Sequence, residues 1–129
     1  MNAFEFDATE SPDLFPPLAA LASYCRGTSG IKGVSRLVHK ESDRADSIAE
    51  VFGKLNIKIE ISGDYMLITG GTVKGAHVSS HNDHRIAMAA AVAALGASGE
   101  VAIKDSHCIS KSYPSFFEDL QELGVVIYE

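Results

Sequence analysis

The amino-acid sequence predicts an α/β fold of repeated βαβαββ units, in which apolar helices are buried beneath sheets. Helical segments alternate with short segments of period-two hydrophobicity, which is typical of helices and strands in turn. Polar residues also recur at a fixed distance, because Asp83 follows Asp13 by 70 residues and Lys111 follows Glu41 by the same interval. A duplicated unit explains both offsets.

The first unit is predicted at about residues 3–71 and contains six elements in the order βαβαββ. They are expected at about 4–9 (strand), 12–24 (helix), 30–38 (strand), 42–55 (helix), 57–61 (strand) and 65–69 (strand). The helix at 42–55 has apolar residues at spacings of three and four, which favours one buried face. Gly63-Asp64 separates the last two strands and is typical of a hairpin turn.

The second unit is predicted at about residues 73–129 and lacks the final strand. Its elements are expected at about 76–80 (strand), 82–97 (helix), 100–104 (strand), 114–123 (helix) and 125–128 (strand). The first helix of each unit is the more apolar one, which is why we expect helices packed inward under the sheets. Residues 1–129 would then form part of one domain.

Composition restricts the class of protein. The chain has 129 residues, 46% of them hydrophobic, and a net charge of −6. A nucleic-acid partner would require a local basic stripe, which the sequence lacks. The longest apolar run, near Ile86, is too short to span a bilayer, and the first residues do not resemble a signal peptide. We therefore expect a cytoplasmic protein with neither nucleic acid nor membrane as a partner.

The segment Asn82-Asp83-His84-Arg85 opens a helix that is otherwise apolar as far as Leu95. A helix that is apolar all round is normally buried, so Arg85 would lie partly buried and would need an anion. The helix start also favours negative charge, and phosphate or carboxylate groups meet both requirements. The alternative is internal, with Asp83 capping the helix and pairing with Arg85.

Two further segments place cations just before predicted helices. In Lys40-Glu41-Ser42-Asp43-Arg44 the two cations oppose the helix dipole, which favours ligand binding, although a solvated helix start is an equal alternative. Ser110-Lys111-Ser112-Tyr113-Pro114 has the same position in the second unit. Asp13 is most simply an N-cap, but a carboxylate beside cations could also act as a base.

A metal site at His77, His81, Asp83 and His84 is the weakest possibility. His77 and His81 straddle a predicted strand-to-helix boundary, so the helical spacing that would direct both at one ion is doubtful. Arg85 would also repel the cation from the same helical turn. We therefore expect no metal.

Three motifs together resemble a known family. In order and spacing, Lys40–Arg44, Asn82–Met88 and Lys111–Phe117 are similar to the C-terminal part of the 5-enolpyruvylshikimate-3-phosphate synthase family, and the resemblance runs from about Phe4 to Tyr128. It implies the enolpyruvyl transferase fold, with two domains of three βαβαββ units each. It also implies a cytoplasmic shikimate-pathway enzyme of aromatic amino acid biosynthesis, which transfers the enolpyruvyl group of phosphoenolpyruvate to shikimate-3-phosphate and releases phosphate.

The resemblance also implies roles for individual residues, with no metal or organic cofactor. Asp13 would accept the proton of the attacking hydroxyl and contact shikimate-3-phosphate, and Glu41 would protonate the enol carbon. The remaining implied contacts are Lys40 for shikimate-3-phosphate, Arg44, Arg85 and Lys111 for phosphoenolpyruvate, and Asp83 and His84 as supporting residues. Arg36 stands where the family usually has a substrate-contacting asparagine, so that contact is left open.

The N-terminal motifs of the family have no counterpart in this sequence. The chain therefore resembles a fragment that carries only the C-terminal half-site, needs the missing N-terminal portion of the same enzyme as its partner, and is inactive alone. The alternative hypothesis is a non-catalytic anion-binding module built from a duplicated βαβαββ unit.

Overall fold

The computed structural model describes residues 2–37, 44–81 and 83–104. Six elements follow the order βαβαββ, as predicted for the first unit, and three more begin a second series. In chain order they are β1 (Glu5–Asp7), α1 (Phe15–Ala22), β2 (Thr28–Lys32), α2 (Arg44–Lys54), β3 (Lys58–Ser62), β4 (Tyr65–Thr69), β5 (Ala76–Ser79), α3 (His84–Ala94) and β6 (Val101–Lys104). The elements predicted at 114–123 and 125–128 lie outside the described residues.

The described strands form a four-stranded sheet in the order β1-β2-β4-β3 and a two-stranded sheet of β5 and β6. β1 is parallel to β2, whereas β4 is antiparallel to both of its neighbours. β5 is parallel to β6, and the partners Ala76 and Val101 are 25 residues apart, like the partners Glu5 and Gly30 in β1 and β2. The same strand–helix–strand arrangement thus occurs twice, and the unit boundaries at 3–71 and 73–129 remain a prediction.

The core lies between the helices and the inner faces of the sheets. α1 packs against α3, and both helices also contact strands. Small side chains allow this close approach, since Ala19 and Ala22 of α1 and Ala87 and Ala93 of α3 are fully buried. The prediction of apolar helices packed beneath sheets is therefore confirmed. No helix among the described residues is long and apolar enough to cross a membrane.

The strand predicted at 30–38 is too long, because β2 ends at Lys32 and a 3-10 turn follows at Val34–Leu37. Gly33, between β2 and this turn, has φ +111°, a conformation that glycine adopts without strain. The N–H groups of Gly33 and Val34 both donate to the carbonyl of Asp64, at 2.8 and 3.1 Å. The apolar residues of 34–37 therefore enter the core at a spacing of three, not two.

Asp64, in the β3–β4 hairpin turn, makes the stability depend on pH. Its Oδ1 accepts the Ser35 N–H at 2.9 Å, and this hydrogen bond holds the pKa of the Asp64 carboxyl below its ordinary value of 3.8. The ionised form therefore adds stability above pH 3.8, which is lost as pH falls through the folded-state pKa. We expect Asp64→Asn to lower the melting temperature at pH 7 and to have a shrinking effect at acid pH. Glu10→Gln, which changes an exposed acid, is the control. A pH-independent effect of Asp64→Asn would contradict the prediction.

Tyr24 joins the chain after α1 to the end of α3. Its hydroxyl donates to the Ala93 carbonyl and accepts the Gly96 N–H at 3.2 Å. Burial raises the pKa of Tyr24 above its ordinary value of 10.0. We expect Tyr24→Phe to lower the free energy of unfolding by about 1–2 kcal/mol, because it removes both hydrogen bonds. Urea titration measures this, and Tyr65→Phe, whose side chain is exposed, should change little.

Candidate active site

Among the described residues, four charged side chains meet where the starts of the three helices converge. Asp13 comes from the 3-10 turn Pro12–Leu14 that precedes α1, and Arg44 is the first described residue of α2. Asp83 and Arg85 come from the first turn of α3. The sequence predicted functional roles for all four, and the structure brings them into one cluster although up to 72 positions separate them in the chain.

Arg44 lies at the centre of this cluster and contacts both carboxylates. Its Nε donates to Oδ2 of Asp83 at 2.8 Å, and its Nη1 donates to Oδ1 of Asp13 at 3.1 Å. The side chains of Arg44 and Asp83 are 22% and 20% exposed, whereas that of Asp13 is 58% exposed. Charge-assisted hydrogen bonds are stronger where water is partly excluded, so Asp83 is the firmer of the two partners.

Arg85 shares the Asp13 carboxylate with Arg44. Its Nε lies 3.4 Å from the same Oδ1 atom of Asp13, and its side chain is 39% exposed. The described anion beside Arg85 is thus the Asp13 carboxylate, and the alternative in which Arg85 pairs with Asp83 is wrong. The expectation that Arg85 binds a phosphate or carboxylate ligand stays a prediction. The Asp83 carboxylate forms its ion pair with Arg44, which approaches from a different helix.

Asp83 caps α3, as the sequence predicted. Its backbone is extended, and its Oδ1 accepts the N–H groups of Arg85 at 2.9 Å and Ile86 at 3.4 Å. Asp13, in contrast, is not an N-cap, because it lies inside the 3-10 turn and the N-cap of α1 is Leu14. The Asp13 carboxylate instead contacts the two arginines, so the simplest prediction for Asp13, an N-cap, is wrong.

The other residues singled out in the sequence differ in how far the structure describes them. His84 is the first residue of α3 and half-buried beside the cluster, and Arg36 is exposed on the 3-10 turn Val34–Leu37. Lys40, Glu41, Asn82 and Lys111 lie outside the described residues. Their roles remain predictions.

The histidines considered as metal ligands are dispersed. His77 is exposed on β5, and Nε2 of His81 lies 3.4 Å from Oε2 of Glu50 on α2. Within residues 2–37, 44–81 and 83–104, no three His, Cys, Asp or Glu side chains come together as a metal site would require. The pair of His81 and Glu50 was missed in the sequence, because no local pattern relates a loop histidine to a helix 31 positions earlier.

The geometry of the cluster suits a ligand with carboxylate or phosphate groups. One oxygen of Asp13 is within 3.1 Å of the Arg44 guanidinium and 3.4 Å of the Arg85 guanidinium. The two arginines are thus spaced to bind one small anion between them, and guanidinium groups match carboxylate and phosphate geometry. Of the two carboxylates, Asp13 is the more exposed, so such an anion would displace it at a smaller cost than Asp83.

Comparison with known sequences identifies relatives along nearly the whole chain. Residues 1–120 match the family model described as EPSP synthase (3-phosphoshikimate 1-carboxyvinyltransferase). The chain is 48% identical over 123 residues to the 3-phosphoshikimate 1-carboxyvinyltransferase of Pyrococcus abyssi, and 46% identical over 124 residues to that of Aeropyrum pernix. The alignments cover 95% and 96% of this chain but only 30% and 29% of those proteins. The chain therefore spans about 30% of the length of these curated relatives.

Solved structures show the same fold. EPSP synthase from Acinetobacter baumannii superposes with a TM-score of 0.78 at 30% identity, covering 84% of this chain and 26% of that one. The enolpyruvyl transferase NikO from Streptomyces tendae also gives a TM-score of 0.78, at 24% identity, and the superposition covers 98% of this chain and 29% of the NikO chain. The second likeness shows the fold alone. Together they establish that this chain has the enolpyruvyl transferase fold over part of a domain.

Proposed function

Because the chain belongs to the EPSP synthase family, we propose that it supplies the C-terminal half-site for transferring the enolpyruvyl group of phosphoenolpyruvate to shikimate-3-phosphate, with release of phosphate. The observation that supports this most is the convergence of Arg44 and Arg85 on one carboxylate oxygen of Asp13. Two guanidinium groups at this spacing suit an acidic substrate of the size of phosphoenolpyruvate.

Phosphoenolpyruvate carries a carboxylate and a phosphate, and both must leave water when the substrate binds. Arg44 and Arg85 would offset this desolvation through paired N–H donors, and Lys111 would add a third positive charge. Arg44 and Arg85 already hold a carboxylate in the structure, so substrate binding would exchange one carboxylate for another. Asp13 would then be released from the arginines and become available to the second substrate.

The chemistry requires a base at the attacking oxygen and an acid at carbon. Asp13 would accept the hydroxyl proton of shikimate-3-phosphate as its oxygen bonds to C2 of phosphoenolpyruvate, while Glu41 protonates C3 to give a methyl group. In the second step Glu41 would take a proton back from that methyl group, the double bond would form again, and the bond from C2 to the phosphate oxygen would break. Inorganic phosphate leaves and takes up the proton that Asp13 had accepted from the hydroxyl, so neither Asp13 nor Glu41 gains or loses a proton overall.

The supporting residues and the cellular setting belong to the same proposal. Lys40 would contact shikimate-3-phosphate, His84 would line the phosphoenolpyruvate pocket, and Asp83 would support Arg44. The rest of the active site would come from the remaining portion of the enzyme, in the cytoplasm and as part of the shikimate pathway of aromatic amino acid biosynthesis. This scheme involves only side-chain acids, bases and anion contacts.

The test uses a chimaera in which this chain replaces the matching 30% of the Pyrococcus abyssi relative. Phosphate release from phosphoenolpyruvate and shikimate-3-phosphate should be restored in the chimaera and absent for the isolated chain. The reason is that correct positioning of reactants can supply about 7–11 kcal/mol of barrier lowering, which half a cleft cannot provide. A folded chimaera without turnover, or an active isolated chain, would contradict the proposal. Phosphoenolpyruvate binding by a folded but inactive chimaera would indicate the non-catalytic anion-binding module instead.

A further inference from the structure

Asp83 uses its two carboxylate oxygens for two different partners. Oδ1 accepts the Arg85 and Ile86 N–H groups at the start of α3, and Oδ2 accepts the Nε–H of Arg44 on α2. We propose that Asp83 is a positioning residue that fixes the Arg44 guanidinium for anion binding, an inference that rests on the proposed function.

Capping of α3 restricts the orientation of the Asp83 side chain. Because Oδ1 is bound to two backbone groups of α3, the direction in which Oδ2 faces is set by the helix and not by side-chain rotation. Oδ2 meets the Nε of Arg44 at 2.8 Å, the shortest ion-pair distance in the cluster. The position of the Arg44 guanidinium is therefore set by α3, the helix that also carries Arg85.

The choice of Nε determines which edge of the guanidinium faces a ligand. An arginine can bind a carboxylate with its Nε–Nη2 edge or with its Nη1–Nη2 edge. Since Asp83 contacts Nε, the edge left for a ligand is Nη1–Nη2, and Nη1 already donates to Oδ1 of Asp13 at 3.1 Å. A ligand that displaces Asp13 would meet this edge of Arg44 and the Nε of Arg85.

The two aspartates are suited to different roles by their exposure. Asp83 is 20% exposed and bound by the helix cap, whereas Asp13 is 58% exposed and bound only through the two arginines among its described contacts. Exchange of Asp13 for a ligand leaves the contact between Asp83 and Arg44 intact. Asp83 therefore acts through Arg44 and does not itself need to touch the substrate.

This role predicts an effect opposite in sign to that of simple electrostatics. Removal of a nearby negative charge should by itself strengthen the binding of an anion. If Asp83 positions Arg44, its loss should instead weaken binding, because the guanidinium must then be ordered by the ligand. The sign of the change in affinity therefore distinguishes positioning from charge alone.

Asp83→Asn and Asp83→Ser separate the two functions of the carboxylate. Asparagine and serine cap helices about as well as aspartate, so α3 should keep its start. An asparagine that caps through its oxygen turns its NH₂ group towards the Arg44 Nε–H, so two donors face each other and the hydrogen bond is lost. Serine is too short to reach Arg44. Glu50→Gln on α2 removes the same charge outside the cluster and is the matched control.

Two measurements follow. In the isolated chain, NMR should show that the Arg44 Nε–H exchanges faster with water in both Asp83 variants, while the Arg85 and Ile86 amides keep their protection. In the chimaera, the KM for phosphoenolpyruvate should rise about ten- to a hundredfold in both variants, with a smaller change in kcat. Glu50→Gln should change neither quantity.

Unchanged Arg44 Nε–H exchange, or an unchanged or lower KM in an active chimaera, would overturn the positioning role. Loss of the Arg85 and Ile86 protection together with the raised KM would also overturn it, since Asp83 would then act through the helix alone. A folded wild-type chimaera that releases no phosphate would count against the proposed function. This failure can be told apart from failure of the positioning role, because it is seen without any Asp83 variant.

Discussion

Replacement of Arg44 by alanine in the chimaera is expected to lower kcat/KM for phosphoenolpyruvate by at least about a hundredfold. The change removes one of two guanidinium anchors, and it leaves the carboxylates of Asp13 and Asp83 without the cation that lies between them. Hydrogen bonds between charged groups contribute about 1.5–3 kcal/mol each, and about 1.4 kcal/mol corresponds to a tenfold change in rate. Steady-state phosphate release measures the effect.

Two further variants define what Arg44 contributes. Arg44→Lys keeps the positive charge. A lysine ammonium group lacks the two edges with which the guanidinium binds Asp83 and a ligand, so this variant should recover only part of the activity. Arg26→Ala removes an exposed arginine outside the cluster and should have no effect. If Arg44→Ala retained the activity of Arg26→Ala, Arg44 could not be an anchor.

The largest expected effect on stability is that of Gly70→Ala. A Cβ at this position would overlap the carbonyl oxygen of Cys25 and lie 3.0 Å from that of Ala22. Both are backbone atoms near the end of α1, so neither can rotate away as a side chain would. We expect a loss of more than about 3 kcal/mol, with a correspondingly lower urea midpoint or no folded protein at all.

Gly71→Ala provides the matched control, because no heavy atom of the described residues lies within 4 Å of a Cβ built there. It should change the free energy of unfolding by no more than about 0.5 kcal/mol. Equal stability of the Gly70 and Gly71 variants would show that the chain after β4 does not pass as close to α1 as the structure has it.

Local patterns were sufficient to predict most elements of the fold. The Gly63-Asp64 turn was predicted from two residues between alternating segments, and it joins β3 and β4 with Ser62 paired to Tyr65. The helix expected at 82–97 corresponds to α3, and the Asp83 cap, which the sequence offered as one alternative, is present at its start. In both cases the determining interactions lie within a few residues, which is why the sequence alone reveals them.

Interactions between distant residues could not be derived in this way. The pairing of Arg44 with Asp83 spans 39 positions, and the sequence suggested Arg85 as the partner because it is the nearest cation. Similarly, aspartate is a residue type that commonly caps helices, but the carboxylate of Asp13 is bound by two arginines from other helices. The strand predicted to continue to residue 38 ends early because Gly33 and Val34 donate to a carbonyl 30 or more positions away. Tertiary contacts outweigh local preference at all three places.

The most direct test of the central claim is an NMR titration of the isolated chain with phosphoenolpyruvate, followed at the arginine Nε–H groups. If Arg44 and Arg85 form the anion site, both signals should shift together and saturate with one weak dissociation constant. Arg26 should not shift. Unchanged Arg44 and Arg85 signals at high phosphoenolpyruvate concentration, or shifts confined to other arginines, would contradict the claim.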